Sequence, residues 1–174
     1  MTVTALVLLA VVAALGLVLT GLGERHRPIW GAAVLGVLFA ASAAVAWRAG
    51  RASDGVAEGA VLTAVLAAVT AGSPVATAVL AAADPTAAGV RGGPGDPEVL
   101  RGGAWIGVLE RAAVAGTLLA GWPEGLAVVL AVKGLGRYNE LRETPAAAER
   151  FILGTLASSL WAAACVGVAM LIRS

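Results

Sequence analysis

The run VTALVLLAVVAALGLVLT, residues 3–20, carries no charged residue over about five turns of helix. The hydrocarbon core of a bilayer is roughly 30 Å thick and takes about 20 apolar residues to cross as a helix. No Lys or Arg precedes the run, and its apolar part is longer than that of a secretory signal peptide. We therefore predict a retained first transmembrane helix.

The rest of the chain has the same apolar character. Its 174 residues are 59% hydrophobic and 13% charged, whereas soluble domains are roughly half apolar and about a quarter charged. Alternating ten-residue segments of the kind found in transmembrane barrels are absent from the sequence. A formal net charge of +1 gives no long-range field that would attract nucleic acid. The composition predicts an all-α, polytopic helical membrane bundle with no nucleic-acid partner.

Successive apolar runs predict about six transmembrane helices. Pro28 and Pro123 suit the first turns of the second and fifth helices, where a missing N–H costs nothing. Ser73-Pro74 predicts a kink in the third. The pairs Trp30/Trp47 and Trp105/Trp122 are spaced about 25 Å apart along a helix, which is typical of anchors at the two membrane surfaces. The predicted helices cover residues 3–20, 29–47, 59–83, 104–121, 123–141 and 146–172.

These helices divide the chain into an N-terminal three-helix segment (1–83), a polar Gly/Pro linker (84–103) and a C-terminal three-helix segment (104–174), which together form one membrane domain. Small residues recur at every fourth position over 32–44, 60–72, 112–120 and 154–162, which predicts close helix contacts. Lys and Arg are more frequent in the odd-numbered loops, which favours placing those loops in the cytoplasm and both termini outside.

Two adjacent charges, Glu110 and Arg111, interrupt the fourth apolar run at GVLERAAVAGTL, residues 107–118. At about 1.5 Å per residue they lie roughly 7 Å and 9 Å below a membrane surface marked by Trp105. The antiparallel fifth helix and the sixth helix bring further charges to the same layer. These are Lys133, Arg137, Glu149 and Arg150.

A charge in hydrocarbon costs a few kcal/mol, so charged side chains in membrane helices face the bundle interior and pair with one another. Lys133 and Arg137 are four residues apart and share one helix face. Glu110 and Arg111 point about 100° apart and therefore face different neighbours. We predict that Glu110 and Glu149 pair with the bases of the fifth helix, which leaves an excess of about two positive charges in the layer.

Two interpretations of this excess stay open. In the first, the protein recognises or transports an anion such as a phosphate or a lipid head group, which completes the layer and accepts neutral hydrogen bonds from nearby polar residues. In the alternative, Glu140 and Glu143 neutralise the excess, helix dipoles and snorkelling stabilise the charges, and the protein is a structural or partner-binding subunit. The neutral residues of the candidate site are Tyr138, Asn139, Thr155 and Ser158.

Enzymatic chemistry is disfavoured by the residue types present. His26 is the only histidine, Cys165 is the only cysteine, and Ser158-Ser159 has no histidine beside it in the membrane. We therefore predict no catalytic residue, no metal site and no cofactor. The expected partners are membrane lipids, an anionic small molecule or lipid head group, and a second copy of the chain or a membrane partner protein.

Residues 102–166, with the motifs GGAWIGVLER, VKGLGRYNEL and AAAERFILGTLASSLWA, resemble the C-terminal membrane part of an uncharacterised bacterial and phage-associated family. The chain departs from the family pattern at Gly134, Tyr138 and Arg150. The resemblance implies a multi-pass protein of the bacterial cytoplasmic membrane and the same polar positions that the depth estimate selects. The family has no established activity to transfer.

Overall fold

The computed structural model describes residues 1–21, 29–50, 52–83, 103–143 and 145–174, and every element in these ranges is an α-helix. The all-α membrane bundle predicted from the composition is confirmed. Within the described ranges, α1, α2, α3 and α7 are long and apolar enough to cross a membrane. The helices are α1 (Thr2–Gly21), α2 (Ile29–Arg48), α3 (Asp54–Ala83), α4 (Gly103–Leu119), α5 (Gly125–Gly136), α6 (Tyr138–Glu143) and α7 (Pro145–Arg173).

The fourth and fifth predicted helices are shorter in the structure than in the sequence-based prediction. Helix α4 has 17 residues and α5 has 12, a rise of about 18 Å for α5, which is well short of the hydrocarbon thickness. The predicted helix 123–141 is divided into α5 and α6 at Arg137. His26 and residues 84–102 of the predicted linker lie outside the described residues, and Gly103 is the first residue of α4.

Helices α3 and α7 form the centre of the bundle. They are antiparallel, because the Trp161 Nε1–H donates to the Ala67 carbonyl at 3.1 Å while Leu80 lies beside Gly154. Helix α1 runs parallel to α3, since Gly59 faces Leu6 and the Thr70 hydroxyl bonds to α1 further along. The N-terminus of α1 and the C-terminus of α7 therefore lie at the same end of the bundle.

The small residues predicted to mediate packing do so on two of the four helices. On α3, Ala60, Ala64 and Ala68 are fully buried and Gly72 is buried as well. Ser158 and Ala162 are buried on α7. On α2 and α4 the pattern does not mark the contact face, because Ala40, Ala44, Gly116 and Ala120 are exposed. Repeated small residues therefore indicate the buried face on α3 and α7 but not on α2 and α4.

Pro74 lies inside α3, which continues as one helix from Asp54 to Ala83. Proline has no N–H, so the Thr70 carbonyl one turn earlier loses its usual helical donor. The Thr20 hydroxyl of α1 donates to this carbonyl at 2.9 Å, and the Thr70 hydroxyl donates to the Ala13 carbonyl at 2.9 Å. The backbone group released by the proline thus becomes a link between α1 and α3.

A glycine turn ends α4 and reverses the chain. Gly121 has φ of +70°, its N–H donates to the Leu118 carbonyl at 3.1 Å, and the Trp122 N–H donates to the Thr117 carbonyl at 2.9 Å. These two bonds define a Schellman motif, which needs a residue that tolerates the left-handed region. The motif explains why α4 ends at Leu119 and why α5 returns beside it.

Replacement of Gly16 by alanine tests the contact between α1 and α3. An added Cβ would lie 2.6 Å from the Ala71 Cα and N, so the helices would have to separate. We expect Gly16→Ala to destabilise the protein by about 1–3 kcal/mol. Gly36→Ala is the matched control, because a Cβ there meets nothing within 4 Å. Thermal unfolding in detergent, followed by circular dichroism, measures both, and equal midpoints for the two variants would contradict the predicted contact.

Candidate functional site

Arg111 is the central residue of α4, with eight residues of the helix on either side, and its side chain is 3% exposed. Its Nε–H donates to the Val69 carbonyl at 3.1 Å. Its two terminal nitrogens donate to the Ser73 hydroxyl at 3.1 Å and the Ser158 hydroxyl at 3.3 Å. Since Val69 and Ser158 lie at the middle of α3 and α7, the guanidinium joins three helices at their centres.

Two glycines leave the space that the Arg111 side chain occupies. A Cβ at Gly72 would overlap the Arg111 Cδ and lie 2.7 Å from its Nε. A Cβ at Gly107, one turn earlier on α4, would lie 3.1 Å from one terminal nitrogen. The guanidinium therefore reaches the α3 backbone because residue 72 has no side chain.

Glu110 points away from Arg111 and toward α5. Its side chain is nearly buried, and its Oε2 accepts a hydrogen bond from the Lys133 Nζ at 2.5 Å. The Lys133 ammonium also lies 5.4 Å from the centre of the Phe151 ring on α7, a cation–π distance. The Lys133 side chain is 20% exposed and that of Glu110 is 5% exposed, so the ion pair is mostly buried.

Three buried oxygens in the same region make no hydrogen bond within the described part of the chain. They are Glu110 Oε1, Thr155 Oγ1 and Ser159 Oγ. Thr155 lies on α7 between Phe151, which meets Lys133, and Ser158, which meets Arg111. Buried polar atoms without partners are uncommon in proteins and indicate strain, function or a bound group.

Arg137, Tyr138 and Asn139 lie together where α5 ends and α6 begins. The Arg137 backbone leaves the helical region with φ of −116° and ψ of 11°, and its N–H donates to the Gly134 carbonyl at 3.2 Å. Together with Leu135 and Gly136, the three residues line an open cavity of about 400 Å³. Because α5 ends before Arg137, Lys133 and Arg137 do not lie on one continuous helix as predicted.

Eight of the ten predicted site residues fall into two parts of the structure, and Glu149 and Arg150 belong to neither. Glu149 is exposed on α7, and Arg150 beside it is half-buried. We call these two parts the buried network and the α5–α6 cavity. The buried network contains Glu110, Arg111, Lys133, Thr155 and Ser158, and the α5–α6 cavity contains Arg137, Tyr138 and Asn139.

The position of the buried network along the bundle follows from the short length of α4. Arg111 follows the exposed Trp105 by six residues, as counted from the sequence, but α4 is short and its centre lies beside the centres of α3 and α7. The network therefore lies midway along the two central helices. Ser73 and Gly72 were missed as site residues, although a polar residue and a glycine before Pro74 were the available signals.

Among the residues described in the structure, no group of three or more His, Cys, Asp and Glu side chains could hold a metal ion. Cys165 is buried on α7. No family model, curated protein or solved structure matches the chain. The resemblance of residues 102–166 to a bacterial membrane family therefore stays a prediction.

Removal of Lys133 alone should cost more stability than removal of the whole ion pair. Lys133→Met leaves the Glu110 carboxylate nearly buried without its cation, at a cost of about 3 kcal/mol or more. We expect Glu110→Gln combined with Lys133→Met to recover most of that loss. Urea or thermal unfolding of the two single variants and the double variant measures the coupling, and strictly additive losses would contradict a direct pair.

Gly72→Ala should displace the Arg111 guanidinium from α3. We expect the free energy of unfolding to fall by about 1–3 kcal/mol, because the new methyl group overlaps the arginine side chain. Gly116→Ala on α4 is the control, since a Cβ there meets nothing within 4 Å. Unfolding midpoints that are the same for both variants would show that Arg111 does not need this space.

Proposed function

We propose that this membrane protein binds an anionic, phosphate-bearing ligand, a lipid head group or a free phosphate compound, between Lys133 and the α5–α6 cavity. The observation that carries the proposal is the position of Lys133. Its side chain is partly exposed, and Lys133 lies two residues before Leu135, where the lining of the α5–α6 cavity begins. The proposed location is the bacterial cytoplasmic membrane, with the odd-numbered loops in the cytoplasm.

The groups around the cavity match the chemistry of a phosphate. Phosphate oxygens accept strong hydrogen bonds from lysine and arginine, and a tyrosine hydroxyl and an asparagine amide supply neutral donors. A volume of about 400 Å³ falls within the range of small-molecule sites. The ligand would therefore contact Lys133, Arg137, Tyr138 and Asn139.

The level of the cavity in the bundle favours a lipid as the source of the phosphate. Helices α4 and α5 are antiparallel neighbours, because Glu110 lies opposite Lys133 and Gly125 lies against Thr117. Trp105 is therefore at the same end as Tyr138, and both side chains are more than half exposed. Exposed Trp and Tyr are typical of the layer of lipid head groups. Recognition of a lipid and transport of an anion both begin with binding at this level.

A second candidate is a structural subunit of a membrane assembly. It is supported by Arg111, whose hydrogen bonds lock α3, α4 and α7 together inside this chain. In this case the Glu110–Lys133 pair fixes helix register. Glu110→Gln would then reduce stability or assembly and leave the bound lipids and anions unchanged.

Mass spectrometry of lipids and anions that purify with the protein separates the two candidates. We expect Lys133→Ala and Arg137→Ala each to lose a bound acidic phospholipid or phosphate compound by about tenfold relative to wild type, the size of one lost charged contact. Arg142→Ala is the matched control, because Arg142 is an exposed base on α6 that does not line the cavity.

Each variant is first compared with wild type by size-exclusion chromatography and thermal unfolding, so that loss of fold is not read as loss of ligand. Identical lipid and anion contents in wild type, Lys133→Ala and Arg137→Ala would reject the binding site. That result together with a loss of stability would favour the structural subunit.

A further inference from the structure

We propose that this protein lets phospholipids cross between the two leaflets of the membrane beside α5, without an energy source. The proposal goes beyond ligand binding, because it concerns a passage along the outside of α5 and needs no affinity at the α5–α6 cavity. It depends on the length of α5, on the side chains that α5 presents to lipid and on the fixed position of the α4–α5 hairpin.

Helix α5 separates two polar positions by much less than the thickness of a bilayer. Its 12 residues lie between Glu124 and Arg137, which are about 20 Å apart along the helix. Within α5 only Lys133 is charged, and it pairs with Glu110. Since the hydrocarbon core of a bilayer is roughly 30 Å thick, α5 is too short to match it.

Helix α7 has the length that a bilayer needs. Arg150 and Arg173 are about 34 Å apart along it. The end of α5 and the beginning of α7 lie at the same end of the bundle, because the six-residue α6 joins them and Lys133 meets Phe151. Most of the difference between about 34 Å and about 20 Å therefore falls at the opposite end, where α5 begins.

The turn between α4 and α5 shows the same deficit independently. Helix α4 is antiparallel to α5, so its C-terminus points toward the Arg173 end of α7. From Arg111 to the end of α4 at Leu119 the rise is about 12 Å. From Ser158, which accepts a hydrogen bond from Arg111, to Arg173 the rise is about 22 Å. The turn therefore lies about 10 Å short of the end of α7.

The hairpin cannot relieve this deficit by moving toward the nearer membrane surface. The Arg111 guanidinium holds α4 to the Val69 carbonyl and the Ser73 hydroxyl of α3 and to the Ser158 hydroxyl of α7. A shift of α4 along its axis would break these bonds in a buried place, where water does not replace them. The mismatch is therefore left to the lipid.

The side of α5 that faces away from the bundle is in contact with that lipid. Val128, Val132 and Leu135 are each more than half exposed and are spaced along one face of the helix. In the turn, Trp122 is half exposed and Glu124 is exposed. Hydrocarbon at full thickness would cover the Glu124 carboxylate, which is costly, so the bilayer becomes thinner beside the short helix.

A thinner bilayer lowers the barrier for a phospholipid head group. Along α5 the head group crosses about 20 Å of hydrocarbon from the Glu124 turn to the level of Arg137, where the rest of the bilayer requires about 30 Å. Because the passage depends on thickness, phospholipids with different head groups should cross at similar rates. The passage carries no coupling to an ion gradient or to a nucleotide.

The full chain reconstituted in phosphatidylcholine–phosphatidylglycerol vesicles tests the proposal. A trace of phospholipid carrying a nitrobenzoxadiazole label on its head group is placed in both leaflets, and dithionite is added outside. In protein-free vesicles only the outer half of the label is reduced. We expect the wild-type protein to allow reduction of nearly all of it, with labelled phosphatidylethanolamine and labelled phosphatidylserine alike.

Two substitutions change the passage in opposite directions. Val132→Asn places an amide on the exposed face of α5 and should increase the rate about threefold or more, whereas Leu66→Asn, at a comparably exposed site on the long helix α3, should leave it unchanged. Glu124→Leu removes the charge that opposes full thickness and should decrease the rate about threefold. Its matched control is Glu58→Leu, at an exposed glutamate on α3 at the same end of the bundle.

A water-soluble nitrobenzoxadiazole sugar trapped inside the same vesicles distinguishes lipid crossing from leakage of dithionite. Protection of the sugar together with loss of the inner-leaflet signal supports the proposal, and loss of both signals contradicts it. Reduction that stops at half in wild-type vesicles would reject lipid crossing, as would equal rates for Val132→Asn and Leu66→Asn. The ligand site is judged separately, by the lipids and anions that purify with Lys133→Ala and Arg137→Ala.

Discussion

The buried guanidinium of Arg111 sets the arrangement of the helices around it. Removal of a guanidinium from water costs free energy unless its N–H groups form hydrogen bonds within the protein. In a membrane interior, water does not replace a missing partner. Its bonds to Val69, Ser73 and Ser158 therefore hold α3, α4 and α7 at one register, with their centres side by side. Gly72 lets the side chain approach the α3 backbone, and the glycine cannot be replaced without moving the arginine.

The adjacent charged residues Glu110 and Arg111 face different helices, because an α-helix turns about 100° per residue. Arg111 faces the two central helices and is occupied by the fold, whereas Glu110 faces α5 and Lys133. The turn at Gly121 brings α5 back along α4, and the early end of α5 places the α5–α6 cavity beyond Lys133. Arg111 thus holds the helices together, while the adjacent Glu110 forms the ion pair with Lys133, the lysine of the proposed ligand site.

The boundaries of α1, α2 and α7 were predictable to within a few residues, because an uninterrupted apolar run is long enough for the bilayer and ends at polar residues. The end of α5 was not, since no proline or charge cluster precedes Gly136 and the helix ends through local backbone geometry. Depth counting placed Glu110 opposite Lys133, because both lie on adjacent antiparallel helices. Depth counting wrongly grouped the exposed Glu149 with the buried residues. The depth of a residue carries no information about the rotation of α7 about its axis.

Composition and run length by themselves determined that this chain is a helical membrane bundle and that a few ionisable residues interrupt it, since the bilayer imposes the same cost on every buried charge. Which of those residues meet was decided only by the tertiary structure. Arg111 finds its partners 38, 42 and 47 positions away along the chain, on two helices whose rotation and register no local pattern specifies. Packing of α3 against α7 and the hydrogen bonds of the buried Arg111 together fix that rotation and register.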